Sequence, residues 1–351
     1  MKKRTGSALF MGYVLLVGAG FLANRRGVDS TIINMLLLIL GFVMLIKGAD
    51  YFVDGASGIA DKFGVPQIII GLTIVAFGTS APEAAISISS ALKGSTGLAI
   101  GNVVGSNIMN ILVILGFTAI IRELHVGKST VYIEMPFVIL ITAVMVAMGA
   151  VNGELGIASG IVLWCFFIVF FIYLIVMAKK GMEAASSQEG GQSHGEEQTG
   201  EKKNTGILVF LFFTIVGMTG IVIGSDVTVD SASFIAEKFG MSERLIGLTI
   251  VAFGTSLPEL VTSVIAAVKG NADIAIGNIV GSNIFNILFV LGTTALIQTV
   301  AYDKAFVFDG IIAIAAAALL FVSVVRKKEL GRVAGIIMLL CYAGYFVHLI
   351  M

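Results

Sequence analysis

The sequence predicts an all-α membrane protein of ten transmembrane helices, arranged as two inverted five-helix repeats behind an N-terminal signal peptide or extra helix. Three observations carry this prediction. The 351 residues are 57% hydrophobic and 13% charged, with a mean hydropathy of +1.01, whereas soluble domains carry about 25% charged residues. Apolar stretches of about 20 residues, long enough to cross ~30 Å of hydrocarbon, recur along the chain. One long segment also occurs twice.

The breaks between the apolar stretches predict the domain organisation. Residues 1–28 place a basic cluster before a short apolar run, which is typical of a signal peptide or an anchor helix. Residues 29–178 form the first five-helix repeat and residues 205–351 the second. The Ser-, Gly- and Glu-rich segment 179–204 between them predicts a disordered linker. The expected core spans are 31–60, 66–92, 97–121, 130–150, 156–178, 205–236, 244–268, 273–299, 305–325 and 331–350.

The distribution of Lys and Arg predicts the orientation in the bilayer. With the 179–204 loop on the inside, the cytoplasmic loops carry more Lys and Arg than the outer loops, and the basic N-terminus agrees. We therefore expect a multi-pass protein of the cell membrane whose 179–204 loop is cytoplasmic. The formal net charge of zero gives no indication of nucleic-acid binding. The sequence also has no Walker-type phosphate loop, which argues against a nucleotide-driven pump.

The repeated segment is the most informative feature of the sequence. Residues 71–116 align without gaps on residues 247–292 at a constant offset of 176, and 30 of the 46 positions are identical. Because each copy contains five spans, an odd number, the two copies are expected to cross the membrane in opposite directions. Inverted repeats with interrupted helices at matching positions are typical of transporters, whose site lies where the repeats meet near the midplane.

Each copy buries a single carboxylate in the middle of an apolar span. Glu83 is the only ionisable side chain between Lys62 and Lys93, and Glu259 occupies the matching place in the second copy. Inserting a charged residue at the centre of a span costs about 2.5–3.5 kcal/mol, so such a residue is a functional candidate by default. The alternative is a protonated glutamate hydrogen-bonded inside the bundle, which the repetition disfavours.

Proline precedes both glutamates and predicts a break in each helix. Pro82 and Pro258 cannot donate a backbone hydrogen bond and clash with the carbonyl four residues earlier. Freed carbonyls are tolerated in hydrocarbon only where they line a cavity or bind something, although a kink without a ligand is the simpler alternative. Carbonyls, neighbouring hydroxyls and two carboxylates form an all-oxygen set, which suits hard cations such as calcium and sodium.

The following span of each copy carries a second polar motif. It reads GNVVGSN from Gly101 and GNIVGSN from Gly277. The GxxxG spacing allows another helix to approach closely. Ser106 and Asn110 are four residues apart, so they share one helix face, as do the matching residues of the second copy. This face either joins helices through hydrogen bonds or completes the shell of an ion.

The paired GTSxPE and GSNxxN segments resemble the two alpha repeats of the sodium/calcium exchanger family, within the cation/calcium antiporter superfamily. The resemblance covers both repeats and the ten-span layout. It implies secondary antiport of sodium against calcium by alternating access, with no enzymatic activity and no cofactor. The partners it implies are the two transported ions and the bilayer.

The resemblance also assigns site residues, position by position. Carried over to this chain, the calcium site comprises Glu83, Glu259 and the carbonyls of Thr79 and Thr255. One flanking sodium site comprises Ala76, Ser80 and Ser106, and the other Ala252, Ser256 and Ser282. Asn110 and Asn286 are expected to line the centre.

Two features depart from or lie outside the family pattern. Several relatives, including those that co-transport potassium, carry Asp at the position of Asn286, so Asn here argues against potassium dependence. The residues Asp50, Asp54, Asp226 and Asp230 also repeat at the 176-residue offset. We expect them to cap helix ends or to line an ion vestibule.

Three other functions remain open at this point. A calcium/proton exchanger of the same superfamily is the nearest alternative, but those relatives have a GNAxE-like element in place of GTSxPE. A passive cation channel could also use the broken helices as a pore lining. A calcium-binding scaffold is disfavoured because scaffolding gives no reason to bury carboxylates in mid-span.

Overall fold

The computed structural model describes residues 31–63, 76–188, 206–268, 270 and 272–351. In chain order the elements are α1 Thr31–Lys62, α2 Ala76–Thr79, α3 Ala81–Leu92, α4 Thr96–Ile121, β1 Leu124–His125, α5 Thr130–Asn152, β2 Glu154–Leu155, α6 Ile157–Gln188, α7 Ile207–Phe239, α8 Glu243–Thr255, α9 Leu257–Val268, α10 from Ala272 to Ile297, β3 Val300–Ala301, α11 Lys304–Val324, β4 Glu329–Leu330 and α12 Arg332–Ile350.

The two halves of the chain repeat the same order of elements. Helices α3 and α9 begin and end at positions 176 residues apart, and so do α4 and α10. The first helices, α1 and α7, both begin at matching positions and are 32 and 33 residues long. The duplication seen in the sequence is therefore a duplication of structure, and it extends well beyond the 46 aligned residues.

Helices α4 and α10 form the centre of the bundle. In their most apolar windows 78% and 72% of positions are buried, against 11–44% in the other six long helices. Those six helices expose many large apolar side chains, which suits a surface that faces lipid. Two of the most polar spans thus lie where lipid cannot reach them.

The long helices α1 and α7 pack along one another through glycine. A Cβ atom added at Gly48 would lie 2.8 Å from the backbone nitrogen of Ile221, and one added at Gly224 would lie 3.0 Å from that of Leu45. Larger residues at these positions would force the helices apart. The pair is a membrane example of small residues permitting close backbone contact.

Two short antiparallel ladders join the halves, a feature that the prediction of an all-α protein lacked. Strand β1 pairs with β4, and β2 pairs with β3. Exchanging the two halves converts one ladder into the other, because β1 matches β3 and β2 matches β4. Strands of two residues have no periodicity that a sequence pattern can reveal.

The structure tests only part of the predicted span layout. Eight helices in the described ranges are long and apolar enough to cross a membrane, and the bent pair α8 and α9 gives a ninth. The predicted span 66–92 lies partly outside the described residues, so ten spans remain a prediction. Residues 1–28 also lie outside them, as does most of the predicted 179–204 linker. Its first part, through Gln188, continues α6.

Candidate cation site

Both glutamates stand just after a break in a helix. The break is a single residue in each copy: Ser80, at φ −91° and ψ 8°, lies between α2 and α3, and Ser256, at φ −82° and ψ 4°, lies between α8 and α9. Helices α8 and α9 bend by 46° there. Because Pro82 and Pro258 occupy the first turn beyond the break, they start a new helix and leave a carbonyl of the preceding turn without its usual donor.

The new helices place both carboxylates at a helix N-terminus in the interior. Glu83 and Glu259 lie in the first turns of α3 and α9, and the side chains of both are fully buried. Backbone N–H groups at a helix N-terminus carry a partial positive charge that favours a nearby anion. The break in each helix thus provides an electrostatic environment suited to a carboxylate.

The two copies exchange hydroxyl contacts across the site. Ser256 donates a hydrogen bond to Oε1 of Glu83, 3.2 Å away, and Ser80 lies 3.3 Å from Oε1 of Glu259. Ser282 also lies 3.3 Å from that Oε1 and 3.1 Å from the Ser80 hydroxyl. Each broken helix therefore supports the carboxylate of the other copy, so neither copy forms the site alone.

Four asparagines cross the centre between α4 and α10. The Asn107 and Asn283 amides each donate to the other residue's backbone carbonyl at 3.1 Å. Asn110 donates to Oδ1 of Asn283 at 2.9 Å, and Asn286 donates to Oδ1 of Asn107 at 3.1 Å. A π-helical turn begins at Asn110 and another at Asn286; such turns are rare and often mark functional sites.

Two oxygens of the buried glutamates and two of the central asparagines have no hydrogen-bond partner among the described residues. They are Oε2 of Glu83, Oε2 of Glu259, Oδ1 of Asn110 and Oδ1 of Asn286. The amide oxygens can only accept, as can the carboxylate oxygens when ionised, and an unsatisfied buried polar group costs about 1–3 kcal/mol. Two carboxylate and two amide oxygens are the donor set that hard cations prefer. The cluster is therefore suited to binding such a cation.

Hydrogen bonds link several of the predicted site residues across the two copies. Ser80 contacts Ser282 of the other copy, and the Ser106 hydroxyl lies 3.4 Å from that of Thr255. These contacts do not test the expected sodium sets, Ala76 with Ser80 and Ser106, and Ala252 with Ser256 and Ser282, which stay predictions. The contacts arise because each broken helix packs against the central helix of the other half. Ala252 lies against Gly105 in this way.

Two further ligand predictions concern α2. Thr79 is the last residue of α2 and is half-buried, directly before the break. The side chain of Ala76 lies outside what the structure describes. Thr255, the two-fold equivalent of Thr79, is fully buried and occupies the same position before Ser256.

The sequence did not predict the positioning role of a further asparagine, Asn102. The Asn102 amide donates to the backbone carbonyl of Glu83 at 3.2 Å and to Ser87 at 3.0 Å, while its Oδ1 accepts from Thr255 at 3.1 Å. Asn102 therefore ties the carboxylate-bearing helix to the broken helix of the other copy. Its signal was available, because Asn follows Gly at this point in both copies.

The four repeated aspartates are not helix caps, so that part of the expectation was wrong, while their role in an ion vestibule stays a prediction. Asp50 and Asp226 lie well inside helices that extend to Lys62 and Phe239. Asp226 accepts from Ser89 at 2.8 Å, and Lys93 pairs with both Asp226 and Asp230, at 3.2 and 2.8 Å. The two aspartates of the second half therefore join α7 to α3 of the first half.

A duplicated bundle of long apolar helices around a buried set of oxygen atoms defines a multi-pass membrane protein of the kind that transports ions. The family model described as "Sodium/calcium exchanger protein" matches residues 33–176 and 209–351, which are the two halves. The chain therefore belongs to the sodium/calcium exchanger protein family, whose members are transporters rather than enzymes.

Individual relatives cover almost the same range. The chain is 38% identical to "Putative antiporter CaxA" of Alkalimonas amylolytica, over 90% of this chain and 98% of that protein. It is 33% identical to "Sodium/calcium exchanger MaX1" of Methanosarcina acetivorans, over 90% and 98%. A solved structure of the sodium-calcium exchanger NCX_Mj, soaked with sodium and strontium, matches at a TM-score of 0.60 and 31% identity, covering 90% of this chain and 97% of that one.

Proposed function

We propose that this protein exchanges sodium for calcium through the site between Glu83 and Glu259. The observation that carries the proposal is the set of four buried acceptor oxygens that lack a partner in the described structure. Two carboxylates supply up to two negative charges, which one calcium ion neutralises. The same oxygens, with the serine hydroxyls of both copies, offer positions for sodium.

The proposal extends to inverted repeats and alternating access. Helix α5 has 23 residues and spans about 34 Å at 1.5 Å per residue, so β1 and β2 flank it at opposite ends. Because β2 pairs with β3, the matching strands β1 and β3 lie at opposite ends of the bundle. This supports two halves that run in opposite directions, and such a pair can expose one shared site to either side in turn.

The proposal includes two finer features, electrogenic exchange and independence from potassium. Resemblance to the family implies three sodium ions for each calcium ion, so each cycle moves one net charge. A potential of 100 mV then contributes about 2.3 kcal/mol per cycle. Asn286 adds no third carboxylate to those of Glu83 and Glu259. We infer that exchange does not require potassium.

We also propose an orientation of the chain in the membrane. The excess of Lys and Arg favours a cytoplasmic 179–204 loop in the cell membrane. Single cysteines introduced between residues 190 and 200, in a chain lacking Cys165 and Cys341, should resist impermeant thiol reagents in intact cells. Labelling from outside would reverse the orientation without affecting the site.

The alternative is exchange of calcium for protons. One relative is described only as an antiporter, which leaves its counter-ion open, and carboxylates can bind protons as well as metal ions. The presence of GTSxPE in both copies favours sodium. Uptake of radioactive calcium by proteoliposomes separates the possibilities when an outward gradient of sodium, potassium, protons or no ion is imposed.

Sodium antiport requires uptake with the sodium gradient alone and little uptake in the other three conditions. Uptake driven by protons would replace the proposal with its alternative. Uptake without any opposing gradient, or with equal rates in all four conditions, would indicate a channel.

A further inference from the structure

We propose that Asn107 and Asn283 are positioning residues that set the polarity of the cation site, by fixing the amides of Asn110 and Asn286 with their oxygens towards the ion. This inference rests on the proposed function, since it concerns the same site. Neither residue was among the predicted ligands. Both are almost fully buried, at 4% and 1% exposed.

The orientation of Asn283 is determined by the backbone of the other half. Its amide nitrogen donates to the backbone carbonyl of Asn107 at 3.1 Å. A carbonyl can only accept, so the NH₂ group has to occupy this side. The Oδ1 atom of Asn283 consequently points in the other direction, towards Asn110.

The orientation of Asn110 follows from that of Asn283. The group 2.9 Å from Oδ1 of Asn283 has to be a donor, and so it is the Asn110 NH₂. The Asn110 oxygen is thereby left on the opposite side, buried and without a partner among the described residues. A reversed amide would place two acceptors against each other and would turn N–H groups towards the site.

Asn107 and Asn286 are oriented in the same way as Asn283 and Asn110. Asn107 donates to the backbone carbonyl of Asn283, and its Oδ1 accepts from Asn286, both at 3.1 Å. The oxygen of Asn286 is again the unpartnered atom. Two backbone carbonyls therefore orient four amides, and each relay passes from one half of the molecule to the other.

The consequence for the ion is electrostatic. An amide oxygen carries partial negative charge and stabilises a cation, whereas an amide N–H group repels one. Outer partners that orient metal ligands typically contribute about 10- to 100-fold in metal affinity. We expect a loss of this size in calcium affinity when Asn283 or Asn107 is replaced by leucine, which has a similar shape and no polar group.

A double-mutant cycle tests the route of this effect. Calcium binding to the purified full-length protein is measured by calorimetry for Asn283→Leu alone, and then in Asn110→Leu and Asn286→Leu backgrounds. If Asn283 acts through Asn110, its replacement should change affinity less than about 3-fold where Asn110 is already leucine. The full effect should remain where Asn286 is leucine.

The control lies in the sequence spacing. Asn283 and Asn286 are neighbours on one helix turn, so a merely structural disturbance of α10 would couple those two residues instead. Coupling within one helix, or equal coupling to both partners, would overturn the inference. If Asn283→Leu fails to fold, Asn107→Leu provides an independent test. Its effect on calcium affinity should be coupled to Asn286 and not to Asn110.

The outcome can be separated from that of the proposed function. If the wild-type protein binds no calcium, the proposed function fails before any cycle is measured. If it binds calcium and the coupling follows helix neighbours, only the role of Asn107 and Asn283 fails. Asn283→Gln, which retains the amide on a longer side chain, should restore part of the affinity lost in Asn283→Leu.

Discussion

The two halves of this protein are almost identical at the centre and different at the periphery. At the centre, Ser80 contacts Glu259 while Ser256 contacts Glu83, and the four asparagines repeat this reciprocity. Under the proposed function, an ion bound between the halves would contact both at once. A change in one half alone would therefore unbalance a shell that both provide, which gives a physical reason for the close match of these segments.

One peripheral difference is a buried ion pair. Arg244, at the start of α8, binds Asp309 of α11 through two hydrogen bonds of 2.6 and 2.7 Å, and Tyr345 donates to the same carboxylate at 3.0 Å. The position that matches Arg244 in the first half is Ile68. In that half Glu134 of α5 accepts from Thr130 and Tyr173, both neutral.

A second difference concerns the outer helices. Helix α7 packs on α3, where Ser89 is buried and bonds to Asp226. In α9 the matching position is Ile265, which is 48% exposed, and Val261 in the preceding turn is 54% exposed. The outer helices of the two halves therefore pack differently around a centre to which both halves contribute alike. This difference teaches that the repeat is strict at the proposed shared site and relaxed where each half packs against its own surroundings.

The largest expected effect is equal in the two halves. Glu83→Gln or Glu259→Gln should lower calcium uptake by more than the roughly 10- to 100-fold that loss of an outer partner costs, because each removes half of the charge that offsets calcium dehydration. Initial rates of gradient-driven uptake in proteoliposomes provide the measurement. A folded variant of either type that transports at the wild-type rate would exclude a site shared by the two glutamates.

The next largest effect is on the free energy of unfolding, and it should differ between the two halves. Asp309→Asn leaves the Arg244 charge without its partner, and breaking a buried ion pair costs about 3–5 kcal/mol. Glu134→Gln keeps neutral hydrogen bonds to its partners, so about 1 kcal/mol or less is expected. Thermal unfolding of the purified proteins in detergent should therefore place Asp309→Asn well below Glu134→Gln. Equal melting temperatures would show that the ion pair does not distinguish the halves.

A change of ion dependence should follow from Asn286→Asp. A third carboxylate in this buried cluster cannot remain charged without an additional cation or proton. Calcium uptake by the variant should consequently require potassium or become sensitive to pH, and Asn110→Asp should behave alike because the centre is reciprocal. Uptake is measured with sodium gradients in the presence and absence of potassium. A wild-type protein that already needs potassium would contradict this account of position 286.

The smallest effect is expected at Lys93. Its pairs with Asp226 and Asp230 are partly exposed, and such pairs contribute about 0–1 kcal/mol. Lys93→Met should lower the melting temperature slightly, and less so at high salt. Lys47→Met serves as the control, since Lys47 pairs with Asp50 within α1. A larger effect of the control would indicate that the contact between α7 and α3 does not depend on this lysine.

The sequence predicted the centre of the molecule better than its periphery. Glu83 and Glu259 were recognisable because a charge in an apolar span needs a reason, and Pro82 and Pro258 marked the breaks through their missing donors. The pairing of Ser80 with Ser282 was not predictable, because contacts between halves depend on how the helices cross. The partner of Arg244 was equally hidden, since 65 residues separate it from Asp309.

The most direct test of the shared site is anomalous diffraction from crystals soaked with strontium, a heavier analogue of calcium. We expect one strontium ion bound by the carboxylates of both Glu83 and Glu259 at roughly the 2.3–2.6 Å of calcium–oxygen bonds, and its loss when sodium replaces strontium. An ion bound to one glutamate alone, or retained at high sodium concentration, would contradict the claim that the two halves form one exchange site.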